Sequence, residues 1–107
     1  MIAWWDLAGS PQTVTSLRAA LLAEGTGAWA SVPGLVAKFW FSDVTAGRWG
    51  AVMVFDSAEH AHLPLPPNRA AELIGCAPTV RLVADVEALV AGPAAEPPTT
   101  GGDRAWP

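Results

Sequence analysis

The chain predicts a single α+β domain, a four-stranded antiparallel sheet with helices on one face, and three stretches carry that expectation. Residues 31–59, SVPGLVAKFWFSDVTAGRWGAVMVFDSAE, run through turn, strand, hairpin, strand and helix start in nearly unbroken order. Residues 79–87 alternate apolar and polar as a half-buried strand does. Between the aromatic N-terminal run and Pro33 lies one amphipathic helical stretch.

The elements follow in chain order. Ile2 to Leu7 is a short apolar run with two indoles, closed by Ala8-Gly9-Ser10-Pro11, and it predicts the first strand. Ser10 and Pro11 suit a helix opening, because the hydroxyl can cap and the ring lacks only an N–H that the first turn leaves unpaired anyway. Val14, Leu17, Leu21 and Ala28 then approximate one apolar face, Arg18 and Glu24 remain in water, and the helix ends near Gly25 or Gly27. Val32-Pro33-Gly34 breaks the helix, and Leu35 to Phe41 forms the second strand. Ser42-Asp43 and Thr45-Ala46-Gly47 reverse the chain into a third strand, Trp49 to Phe55. Asp56 or Ser57 then caps a helix that Leu63-Pro64-Leu65-Pro66-Pro67 interrupts. Pro67 reopens it, Ala70, Ala71, Leu73 and Ile74 give it an apolar side, and Gly75 closes it. Val80, Leu82, Ala84 and Val86 share one face of the last strand, Thr79 to Glu87. The order is βαββαβ, the ferredoxin-like arrangement. Residues 1–91 form the domain, and 92–107, rich in Pro, Gly and Thr with no apolar period, read as a disordered tail in which Trp106 is the one docking candidate.

Composition narrows the function classes. At 107 residues there is room for one modest core that association would help to stabilise. Half the residues are apolar and only 15% are charged, so apolar area is left for a partner subunit or a ligand to cover. The net charge of −4 and the scatter of the arginines argue against nucleic acid. No apolar run reaches the roughly 20 residues that span a bilayer, and the N-terminus lacks the basic and apolar regions of a signal peptide. A lone Cys76 excludes an internal disulfide and suits a reducing compartment, so a cytoplasmic protein is expected, with the thiol packed between helix and strand.

Residues 31–59 also carry a family resemblance. Pro33-Gly34-Leu35, Lys38-Phe39-Trp40, the Gly-bearing hairpin and Phe55-Asp56-Ser57-Ala58-Glu59 resemble a family of small mono-oxygenases of the dimeric α+β barrel group, which includes the antibiotic-biosynthesis mono-oxygenases. The resemblance implies a homodimer in which two sheets pack into a shared barrel. Each subunit would keep a cavity between its own sheet and helices. It further implies an oxidoreductase that oxidises an aromatic or polyketide-like molecule without cofactor or metal, the substrate carbanion itself reducing oxygen. The fold also hosts isomerases or cyclases and non-catalytic ligand-binding or stress-response dimers, and the absence of tyrosine departs from phenol-handling chemistry.

On the second strand Leu35, Ala37, Phe39 and Phe41 share one face and Val36, Lys38 and Trp40 the other. The wholly apolar face is expected to meet the helices, with Trp49, Ala51, Met53 and Phe55 beside it, so that Phe39, Phe41, Trp49, Met53 and Phe55 form a substrate-binding set. Lys38 and Trp40 would then point to the dimer side, the Lys stem across the indole, and Trp4 and Trp5 would pack there too. His60 and His62, at the helix break, are the candidate bases, since they alone titrate ordinarily near neutral pH. Their i, i+2 spacing diverges on a helix and argues against a shared metal. Asn68 and Arg69 are candidates to fix a substrate oxygen in catalysis, against plainer roles in capping and surface ion pairing.

Overall fold

A computed structural model describes residues 1–94, and the tail expected to be disordered, Trp106 included, lies outside the described residues from position 95 onward. The elements in chain order are β1 (Ile2–Asp6), α1 (Val14–Glu24), a 3-10 turn (Gly27–Trp29), β2 (Leu35–Asp43), β3 (Arg48–Phe55), α2 (Ala58–Ala61), α3 (Arg69–Ile74) and β4 (Val80–Leu82). The four strands form one antiparallel sheet in the order β2-β3-β1-β4, so the fold is α+β.

Local chemistry sets the helix limits. Thr13, not Ser10, caps α1: its hydroxyl accepts from the Ser16 N–H at 3.1 Å while the Ser16 hydroxyl accepts from the Thr13 N–H at 2.8 Å. This reciprocal pair satisfies two otherwise orphaned donors, which the expected Ser10-Pro11 opening cannot do. Ser10 instead accepts from the Gln12 N–H within the preceding turn. Ser57 caps α2 and Asn68 caps α3 through the Ala71 N–H. Gly25 and Gly75 end α1 and α3 at φ of 78° and 83°, angles at which a Cβ would be strained.

The hairpin register decides which residues face the helices. Asp43 pairs with Arg48 and Ser42 with Trp49 across a loop of residues 44–47, in which the Asp43 carboxylate accepts from the Ala46 N–H at 3.0 Å. Even-numbered residues of β2 therefore share a face with odd-numbered residues of β3. Shifting a pairing by one residue flips every side chain to the other side of the sheet. The expected grouping of Phe39 and Phe41 with Trp49 is thus corrected: Phe39 pairs with Val52, Phe41 with Gly50, and Lys38 and Trp40 lie alongside Met53 and Ala51. Only Leu35 joins the Phe55 side, because an irregularity between Leu35 and Ala37 leaves Val36 unpaired.

The helices pack on the face that carries Trp5 and Trp49, a directly opposed pair in the β1–β3 register. These two indoles, Leu7, and Val14 and Leu17 of α1 form the buried core, with Leu21, Trp40, Leu73 and Ile74 packed against it. Trp5, expected at a dimer contact, is 3% exposed, and its Nε1–H donates to the Cys76 carbonyl at 3.0 Å. That bond ties the end of α3 to the sheet, while the Cys76 residue itself is exposed and not packed as expected.

The opposite face is open. Across it run Leu82, Ile2, Val52 and Phe39 in one row and Val80, Trp4, Gly50 and Phe41 in the next. Phe39 is 52% exposed and Leu82 50%. Gly50 lets the Phe41 ring and Trp4 close over the β3 backbone, since a Cβ there would run into both and into the Ala3 carbonyl. β4 is shorter than the 79–87 pattern predicts. Its pairing stops at the Leu82–Ile2 step, where the β1 register ends, and Val83, Val86, Leu89 and Val90 are left exposed.

Candidate functional site

A cleft of about 100 Å³ opens between the sheet and the helices. Its floor is Lys38 and Trp40 of β2 with Trp49 of β3. Leu17, Leu21 and Glu24 of α1 and Trp29 of the 3-10 turn form one wall; Pro66, Pro67, Asn68, Arg69 and Leu73 form the other. The proline run that interrupts the second helix therefore has a spatial purpose. It carries the chain along the cleft before Asn68 restarts α3.

Lys38 is the charged group set into this cleft. Its Nζ lies 3.1 Å from the centroid of the Trp29 ring and 4.6 Å from that of Trp40, and the two indoles meet edge to face at 6.3 Å. Burial pushes its ammonium down to about 8. The indole faces act in the opposite sense, since their negative quadrupoles favour the cation. Both influences leave the group mostly cationic at neutral pH. No carboxylate among the described residues pairs with it.

Three residues expected at the site border the cleft: Trp49, Asn68 and Arg69. Asn68 spends its Oδ1 on the cap of α3, which leaves the amide NH₂ as its remaining donor, and Arg69 is held by Glu72 at 3.1 Å. Met53 and Phe55 share the helix-side face of β3 but lie beyond the cleft. Phe39 and Phe41 lie on the open face, on the other side of the sheet.

His60 and His62 do not border the cleft either. The His60 Nδ1 is 2.5 Å from the Asp56 carboxylate, and its ring covers Gly34 so closely that a Cβ on that glycine would overlap it. With the Asp56 N–H donating to the Gly34 carbonyl at 2.8 Å, this cluster fastens α2 to the turn before β2. The hydrogen bond from His60 holds the Asp56 carboxyl below its ordinary range. The His62 Nδ1–H donates to the Ala58 carbonyl at 2.6 Å, one helical turn back.

Sequence reasoning placed Lys38 and Trp40 on the wrong side and passed over Trp29 and Glu24. A signal existed. Lys38 is the only lysine of the chain, set in mid-strand among aromatic and apolar neighbours, where an ammonium needs a specific reason to be.

No family model matches the sequence, and no curated protein matches it. Among the described residues no helix is long and apolar enough to cross a membrane.

Proposed function

We propose that the chain is a ferredoxin-like βαββαβ subunit that pairs through its open sheet face into a dimeric α+β barrel and binds a compact aromatic or enolic molecule in the sheet–helix cleft. The observation that carries this reading is the cleft itself, an indole-walled recess with one cation at its floor. A flat π-system suits such walls because it can stack or pack edge-on against them. Size restricts the ligand. A closed void on the order of 150 Å³ accommodates a benzene ring; the cleft, at about 100 Å³ and open to solvent on one side, suits a single ring that is only partly enclosed.

The chemistry proposed for this site is cofactor-independent oxygenation. A substrate whose methylene is acidified by neighbouring carbonyl or aryl groups can lose a proton to solvent water at the mouth of the cleft and pass electrons from the resulting carbanion to oxygen. Conversion of the CH₂ to a carbonyl by one O₂, with release of one water, balances without an external reductant. The chain's task would be to hold the anion and exclude water, and Lys38 is positioned to stabilise the developing negative charge. A second reading, binding without turnover, is favoured by one observation: neither histidine borders the cleft.

The test incubates the purified protein with single-ring phenols and β-dicarbonyl compounds while oxygen uptake and product mass are followed. Oxygen consumption matched to a mass gain of one oxygen minus two hydrogens supports the oxygenase. Saturable binding with no oxygen consumed leaves the binding protein, and oxygen-independent turnover replaces the oxygenase with an isomerase or cyclase.

A further inference from the structure

We infer that Lys38 anchors an anionic oxygen, so that the cleft selects flat, single-ring monoanions such as aryl carboxylates over their neutral counterparts. This rests on the reading of the cleft as a ligand site and adds the charge of the ligand to it. The argument begins with what the ammonium lacks. Its three N–H donors are half-buried, and the groups facing it are the Trp29 and Trp40 rings, which attract the charge but accept no conventional hydrogen bond. An ion pair satisfies such a group, and none of the described carboxylates supplies one. Glu24, from α1, borders the cleft without reaching Nζ, and Arg69, from α3, is already engaged by Glu72.

Geometry then fixes the shape of the ligand. An oxygen on Nζ puts the rest of the molecule beside Trp29 and Trp40, whose planes lie at 81° to one another, so a flat ring can stack on one and meet the edge of the other. A second negative charge would face Glu24 on the rim, which favours a monoanion. Asn68, which caps α3 through Oδ1, also borders the cleft and keeps its amide NH₂ as a neutral donor.

The test uses the full chain, with the indole N–H resonances of Trp29 and Trp40 as reporters and benzoate and benzamide as probes of equal shape and different charge. Saturable shifts with benzoate, with benzamide binding about tenfold or more weakly, are expected. That preference should vanish in Lys38→Met, persist in part in Lys38→Arg, and fade in the native protein as pH rises past about 8. The pH series decides the matter even if Lys38→Met fails to fold. Equal binding of the two probes, or a preference that survives loss of the ammonium, overturns the anchor while leaving the cleft as a ligand site. If neither probe shifts either indole, the cleft reading falls and the anchor with it.

Discussion

Lys38 shows how one side chain can report on its surroundings through pH. Burial depresses its ammonium from 10.5 to about 8 in the folded chain, while the unfolded chain retains the ordinary value. Between those limits the unfolded state binds more protons than the folded one, so this group makes stability rise with pH across the interval. Below about 8 both states carry the proton and the burial penalty is present in full; above 10.5 neither does and it is gone. In Lys38→Met the rise attributable to the ammonium disappears. Urea unfolding of native and variant protein at several pH values from 7 to 10.5 reads it as the difference between two curves, in which every group the two chains share cancels. A difference curve that is flat from 8 to 10.5 would show that the folded ammonium is not depressed.

Elements are delimited by few groups, and the start of α1 is set by the Thr13–Ser16 pair. Thr13→Ala removes one acceptor at the helix start and is expected to destabilise the fold by about 1 kcal/mol, measured by chemical denaturation, whereas Ser10→Ala, which removes only the turn hydrogen bond from the Gln12 N–H, should leave the start of α1 where it is. The α+β class and the points at which elements stop were legible in the sequence because turn formers and apolar periods are local properties. Pro33-Gly34, the proline run at 63–67 and Gly75 each stop an element for reasons internal to a few residues. What was not legible depended on pairing. The face of β2 turns on whether the loop to β3 leaves Ser42 or a neighbour opposite Trp49, and residue preferences in the two strands do not contain that integer. The more apolar face of β2 attracted the helix assignment, yet the Trp5–Trp49 pair fixes the core and places Lys38 beneath the helices. The length of β4 likewise depends on how far β1 extends to meet it, so a sound alternation over 79–87 yields a strand only over Val80–Leu82. At the cleft, Trp49, Asn68 and Arg69 were readable from position in the chain, and the cation at its floor was hidden by the same register.

For the whole molecule, the open sheet face is the outstanding physical problem. Ile2, Phe39 and Leu82 stand in one row across it, between about a third and half exposed, and Trp4 and Phe41 lie in the next. Full burial of such a side chain contributes about 1.5–3 kcal/mol, so covering the row against a second copy gives the proposed dimer a substantial driving force. At one end the face closes with Asp6 and Arg48, joined at 2.9 Å beside Asp43, a polar border suited to the rim of an interface. Phe39→Asp puts a carboxylate into that apolar row and, by two-fold symmetry, does so in both subunits. Its dissociation constant should rise about tenfold or more, read by sedimentation or light scattering over a concentration series, with the circular dichroism of the monomer unchanged because Phe39 lies outside the helix-side core. Lys38→Met, one residue away but on the other face, should leave association as it is. That contrast tests the register as well as the dimer. If Lys38→Met weakens association and Phe39→Asp does not, the sheet pairs through the face assigned here to the cleft; a native chain that stays monomeric at micromolar concentration removes the dimer and leaves the open face to another partner.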